Sequence, residues 1–470
     1  MNRTVTRMLA LTAALAFAHA AGGRAVAQRA KIDFGELDRA VLAELKKTNT
    51  PGAAVAVVSG DRVIYAKGFG VSNVETGAPV TADTLFRLGS TTKMFTGAAL
   101  LALEEGGKVK LDAPIGNYAA GLGPGLGRLT AHQLLSNTAG VADFSPPFVS
   151  HDDEALSRMV RSWKDDVLFT EPGRVYSYSS PGFWLAGYVI EQAGGKPYAD
   201  QMDELIFKPL GMKSTTLRPL VAMTYPLSAG HDVRGQETPA VIRPAFNNVA
   251  MWPAGSIYSN VSDLSRFVIA LLNGGRLDGK QALPPSLGGK LGGPHAKLPG
   301  GGSAHYGYGL LSFEQGGVRV VMHGGFSRGY GSMIEMVPAE RFAVIVQTNK
   351  SGETLGETRG KAKELMLPRT PPPGVESRAG QPLSEAEAAD FAGRYANGPQ
   401  TWEIVARGGK LFFKLGAEET PLTKTGPYRL SFGESLENDL ILIPDAAGKA
   451  EHLFTGLYSG RKVRTGRQPM

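Results

Sequence analysis

The sequence predicts an α+β fold, an antiparallel sheet flanked by helices, followed by a small carboxy-terminal all-β domain. Three observations carry this. β-prone runs stand at both ends of the stretch from Gly52 to Asn349, with helical patterns between them, the order expected when helices cover a sheet built from both ends of a domain. Four prolines fall within Pro368–Pro373, which makes a stiff, extended linker. Beyond Gly393 come short β-prone segments at intervals of roughly ten residues, the pattern of a small antiparallel sandwich or barrel.

Residues 1 to 27 read as a secretory leader. Arg3 and Arg7 supply the charged start, and Met8 to Ala20 is apolar but too short for a ~20-residue membrane span. Ala18-His19-Ala20 and Ala25-Val26-Ala27 offer cleavage sites, the second preferred. The expected place of action is periplasmic or secreted, with no stable membrane insertion beyond an uncleaved leader.

Residues 34 to 48 alternate apolar and charged positions at helical spacing. Gly52 to Val58 and Val63 to Ala66 form a hairpin around Gly60-Asp61. Thr84 to Leu88 is extended. A helix starts near Ser90 and stops at Gly106-Gly107, and Leu185 to Gln192 and Val261 to Leu272 add two more. Residues 284 to 304, rich in Gly, Pro and Lys, are expected to be a surface excursion with little structure of their own. Strands follow at Gly317 to Met322, Ser332 to Met336 and Phe342 to Gln347. In the last region Ser384-x-x-Glu387 is a capping box opening a short helix. The β segments there are Trp402 to Ala406, Leu411 to Leu415, Tyr428 to Phe432, Leu440 to Ile443 and His452 to Leu457.

Composition removes several functions. Apolar residues are 42% and charged residues 20% of 470, which fits a globular protein with a real core and more than one folded unit. The formal charge of +7 includes Arg3, Arg7 and Arg24 of the leader. The remaining charges are mixed in sign, without the clustered basic face that nucleic acid requires. There is no cysteine, hence no disulfide, thiol nucleophile or lipid-bearing thiol. No H-E-x-x-H-like spacing is present, so neither a metal nor another cofactor is expected. The partner expected is a small-molecule or peptide substrate; the sequence leaves the oligomeric state open.

Ser90-Thr91-Thr92-Lys93 is the first chemical candidate. On a helix, positions i and i+3 share a face, so a hydroxyl and an amine become neighbours at the positive end of the backbone dipole. Serine attacks only when a base takes its proton, and burial makes lysine such a base by disfavouring its ammonium form. The ordinary reading of a lone S-x-x-K is a capping serine with a surface lysine.

The run TLFRLGSTTKMFTGAALLALEEGGKVKLDAPI resembles the first motif of the serine β-lactamase and penicillin-binding-protein superfamily. It is most similar to the branch holding class C β-lactamases, DD-carboxypeptidases, D-aminopeptidases and related esterases. Pro172-Gly173-Arg174-Val175-Tyr176-Ser177-Tyr178-Ser179-Ser180 resembles that branch's Pro-Gly-x-x-x-x-Tyr-x-Asn, with Tyr178 as the functional tyrosine. A phenol beside an ammonium group is expected to have its pKa lowered and to act as a base. Tyr176 is a competitor two residues away, and Ser180 replaces the usual Asn with a shorter group. His323-Gly324-Gly325 resembles the branch's His-x-Gly. By position the Phe326 N–H would face the Ser90 N–H as an oxyanion-hole pair. The resemblance thus implies catalytic Ser90, Lys93 and Tyr178, with Ser180, His323, Gly325 and Phe326 in substrate binding. It extends over about Ile32 to Asn349, with further familial stretches at Pro51–Val58, Leu134–Gly140 and Pro253–Ile257. Asn137 stands where His is common.

The fold implied is β-lactamase/transpeptidase-like, with a helical subdomain beside the sheet. The organisation is then a leader at 1–27, a hydrolase domain at 32–367, a linker at 368–383 and an accessory β domain at 384–470. The activity implied is hydrolysis of an ester, amide or lactam carbonyl through an acyl-enzyme. The alternative is a catalytically weak penicillin-binding or sensor protein that keeps the fold. Two literal motifs compete. Lys424-Thr425-Gly426 lies beyond the linker and is expected to be a turn. Gly325-Phe326-Ser327-Arg328-Gly329 spells G-x-S-x-G but leads into a strand, where a nucleophile elbow needs a helix.

Overall fold

Gly52–Ser59 is a run of Ala and Val buried along almost its whole length, as a strand covered on both faces should be. In the computed structural model, which describes residues 32–233, 238–367, 379–432 and 439–463, it lies inside an antiparallel sheet of eight strands. The expected leader at 1–27 and the proline cluster at 368–373 fall outside the described residues. The sheet order is Arg62–Gly70, Gly52–Ser59, Phe342–Thr348, Tyr330–Val337, Val318–Ser327, Leu311–Gln315, His305–Tyr306 and Ala296–Lys297. The sheet's first and last strands in sequence order pair with one another, Ala53 opposite Thr348.

The helix Thr92–Glu105 is buried on nearly every side. A helix apolar all round belongs in an interior, and here other helices and the sheet enclose it. Gly106 ends it, as predicted. Ser180–Gly194 packs beside it. Ser179 caps that helix by accepting from the Gly182 N–H, Pro181 sits in its first turn, and Gly195 closes it at φ 74°. Val261–Leu272 matches its predicted bounds, with Asn260 accepting from the Asp263 N–H as its cap.

The segment 284–304 corrects the sequence expectation. It contains a short helix, Leu287–Leu291, and the edge strand Ala296–Lys297. Leu287 and Leu291 are fully buried against the rest of the domain, so two leucines override a glycine-rich composition.

The carboxy-terminal region is a closed eight-stranded barrel that runs up and down in sequence order from Gly393–Asn397 to Ser459–Lys462. The ends join where Tyr395 faces Lys462, which removes exposed edges. Its own core includes Phe391, Tyr395, Leu411, Leu430 and Leu453. Ser384 and Glu387 form the predicted capping box in both directions. Lys424-Thr425-Gly426 is not a turn: it ends the strand Glu418–Gly426, where the register against the next strand shifts. Lys424 is held there by Glu387, so its charge is spent on the barrel's own helix. Among the described residues no helix is long and apolar enough to cross a membrane.

Candidate active site

Two glycines let the His323 strand press against the start of the Ser90 helix. Gly89 has φ 54°, and a Cβ there would stand 2.4 Å from the Phe326 carbonyl oxygen. A Cβ on Gly325 would stand 1.8 Å from the Leu88 carbonyl oxygen. Only glycine fits a left-handed or tightly approached backbone of this kind. Ser332 fixes the same junction by donating to the Leu88 carbonyl at 2.7 Å. Ser90 follows immediately, in a turn of 3-10 helix over Gly89–Thr91, and lines a cavity of about 230 Å³ with Ser180, Trp184, Phe246, Met251 and Phe326.

Lys93 has no solvent exposure. Its Nζ lies 3.2 Å from Ser90 Oγ, 3.3 Å from Ser180 Oγ and 2.9 Å from the Ala254 carbonyl oxygen. Burial pushes its pKa down to about 7, against the pull of the Asp143 charge. That is the condition under which a lysine serves as a base near neutral pH. The familial Pro253–Ile257 stretch thus contributes a carbonyl that holds the amine.

Tyr178 is also buried, with Lys93 Nζ 4.7 Å from its ring centroid and its phenol hydrogen-bonded to Ser90. The expected lowering of its pKa is not what the structure produces. Burial holds the phenol well above its usual range, outweighing the bond to Ser90. The ammonium charge that was to lower it is only partly present near neutral pH, because the same burial pulls the Lys93 pKa down to about 7. Tyr176 is turned away, with its ring 6.0 Å from that of Phe454 in the barrel.

Asn137 positions the second motif. At φ 59°, its backbone carbonyl accepts from the Ser177 N–H at 2.9 Å and its Oδ1 from the Ser179 N–H at 3.1 Å. Asn tolerates this left-handed conformation better than most residues. Beyond Ser179, Ser180 presents its hydroxyl to Lys93.

His323 lies inside the strand Val318–Ser327, not after it. It is buried, its Nε2 is 3.0 Å from the Tyr306 hydroxyl, and burial together with the Lys93 charge pulls its pKa down to about 3. It is therefore a neutral side chain behind the strand. What reaches the cavity from this stretch is Phe326, Ser327 and Arg328. Gly325 pairs with Ser332, and Phe326 with Gly331. Ser327 closes a hairpin whose turn is Arg328-Gly329, so G-x-S-x-G has no helix behind it. His452, in a barrel strand, is hydrogen-bonded to the Thr170 hydroxyl at 2.9 Å.

The site has residues that sequence reasoning missed. Asp143 stands beside Ser180 and Lys93. The barrel strand end and loop at 455–459 reach the second motif: the Tyr178 N–H donates to the Leu457 carbonyl at 3.1 Å and Ser459 Oγ to the Tyr176 carbonyl at 2.7 Å. No local pattern marks them, because their partners lie in another domain.

The beta-lactamase family model matches residues 37–365. The chain belongs to the beta-lactamase family. A D-aminopeptidase of Gluconobacter oxydans (strain 621H) is 30% identical over 324 residues, covering 67% of this chain and 58% of that protein. Protein flp of Staphylococcus aureus (strain MW2) is 25% identical over 330 residues, covering 68% of this chain and 63% of its own length. The matched part thus spans less than two thirds of these curated relatives. The octameric penicillin-binding protein homologue from Pyrococcus abyssi superposes with a TM-score of 0.63 at 23% identity, over 92% of this chain and 100% of that one. The mixed sheet-and-helix fold of the matched residues is therefore that of the beta-lactamase family, which includes D-aminopeptidase relatives, and the carboxy-terminal barrel lies beyond the family match.

Proposed function

We propose that the protein is a serine hydrolase that forms an acyl-enzyme at Ser90 on an ester, amide or lactam carbonyl, as β-lactamase-related esterases, D-aminopeptidases and DD-carboxypeptidases do. The observation that carries this is the buried Lys93 amine 3.2 Å from Ser90 Oγ, with its pKa pushed down to about 7. Neutral Lys93 takes the Ser90 proton as Oγ attacks. Tyr178 keeps its proton at neutral pH and acts as the carrier between Ser90, the leaving group and the incoming water. The N–H groups of Ser90 and Phe326 stabilise the developing oxyanion. The leader at 1–27 supports action in the periplasm or outside the cell. The small cavity with Trp184, Phe246 and Met251 supports a compact, partly apolar acyl group, and the D-aminopeptidase relative makes D-amino acid amides and esters the first compounds to try.

The test is intact mass after exposure to a fluorophosphonate and, separately, a penicillin, on wild type and Ser90→Ala. One adduct per chain, mapping to Ser90 and absent from Ser90→Ala, is the expected result. Equal hydrolysis or labelling by Ser90→Ala would sink the reading. A penicillin adduct that persists would favour a carboxypeptidase-like or sensor role over lactam turnover.

A further inference from the structure

One carboxylate beside Lys93 has no part in the reaction just described. Asp143 lies at the junction of the hydrolase domain and the barrel. One oxygen accepts from the Ser180 N–H at 2.9 Å and the other from the Gln400 side-chain amide at 3.2 Å. The Tyr458 phenol is also hydrogen-bonded to this carboxyl. Its own N–H donates to Asn397 Oδ1 at 3.1 Å. Gln400, Asn397 and Tyr458 all belong to the barrel. Burial raises the Asp143 pKa, and the three donors on its two oxygens together with the Lys93 charge pull it back toward the ionised form.

Ser180 links this carboxylate to the base: its N–H bonds Asp143 while its hydroxyl stands 3.3 Å from Lys93 Nζ. Among the described residues, Asp143 is the carboxylate whose charge reaches Lys93. The other groups facing Lys93 are Tyr178, Phe183 and neutral His323. Tyr178 also faces Asp143, with Tyr458 on the barrel side.

We propose that Asp143 is a positioning residue of the acylation site, the counter-charge to the Lys93 ammonium, and that the barrel holds it in that role through Tyr458 and Gln400. The proposal rests on Ser90 and Lys93 acting as described above. It makes the accessory domain part of the active site, acting on the base from behind the substrate cavity. Removing the carboxylate leaves the ammonium less favoured, so neutral Lys93 forms at lower pH.

The test is the rate of fluorophosphonate labelling of Ser90 by the full-length chain between about pH 5 and 9, a window that brackets the Lys93 titration. In Asp143→Asn, which keeps the shape, the midpoint should move to lower pH by about 1 unit, the usual effect of one nearby charge. Tyr458→Phe keeps the ring and loses one donor; its midpoint should move the same way by less. An adduct with an unmoved Asp143→Asn midpoint overturns the proposal. A Tyr458→Phe midpoint equal to wild type overturns the barrel's share, and decides the matter if Asp143→Asn does not fold. No wild-type adduct at any pH overturns the acyl-transfer reading itself.

Discussion

Lys93 shows how much a single residue can cost a fold and still be kept. A fully buried ammonium is disfavoured by desolvation, and depressed proton affinity is worth about 1.4 kcal/mol of stability for each pH unit. The sign follows from proton binding. Between about 7 and the ordinary lysine value the unfolded chain holds more protons than the folded one, so stability rises with pH across that window. Lys93→Met should therefore abolish labelling of Ser90 yet raise the unfolding free energy at pH 6 by about 2 kcal/mol, part of the gain being lost with the amine's hydrogen bonds. Denaturant melts of the two proteins at pH 6 check it. Destabilisation by Lys93→Met would mean that its three acceptors stabilise the amine more than burial penalises it. The labelling rate of wild type should rise with pH and level off above about 7, since only the neutral amine accepts the Ser90 proton. A rate independent of pH through that range would remove Lys93 from the role of base.

At the scale of elements, the site is a junction of one strand and two helix starts, and glycine sets its spacing. Gly89→Ala puts a Cβ into the Phe326 backbone at a positive φ. It should cost at least about 2 kcal/mol, through left-handed strain and forced separation of strand from helix. Because that separation also moves Phe326 from Ser90, labelling should fall more than stability. Thermal melts and labelling rates measured on the same preparation check this. A variant that melts early but labels normally would show that the Phe326 wall has no part in the reaction. The capped start of Ser180–Gly194 fixes the second motif in the same way, because the Ser179 cap and Asn137 determine where Tyr178 and Ser180 point.

At the scale of the molecule, the barrel is docked through buried polar contacts as well as an ion pair. Asn397 has no solvent exposure and donates to Ser177 Oγ at 3.0 Å and to the Ser459 carbonyl at 2.8 Å while accepting from Asp143. Arg174 and Glu451 meet at 2.8 Å nearer the surface, where such a pair contributes little. Asn397→Ala should cost about 2–4 kcal/mol by leaving buried partners unmade, and Arg174→Ala well under 1 kcal/mol. Melting temperatures of the two variants rank them. A larger loss for Arg174→Ala would mean that the ion pair, and not the buried node, holds the barrel.

The sequence by itself determined the elements and the order of the chemical groups. Periodicity located Val261–Leu272, the Ser384–Glu387 box located the barrel's helix, and the spacing of Ser90 and Lys93 placed hydroxyl and amine on one face. These signals are local: a helix cap or an i, i+3 pair is complete within a few residues. Tertiary structure alone decided the rest. Leu287 and Leu291 found a core that their glycine-rich surroundings did not announce. Lys424 lies in a strand opposite Leu430, with its amine held by Glu387 of the barrel's helix. Tyr178 was expected to have a lowered pKa and has a raised one, because burial depends on everything packed around a side chain and not on its neighbours in sequence. Asp143 acquired its place from Gln400 and Tyr458, residues of a different domain. Charge and desolvation act through space, so which lysine is neutral and which carboxylate stands beside it are settled only when the two domains close on one another.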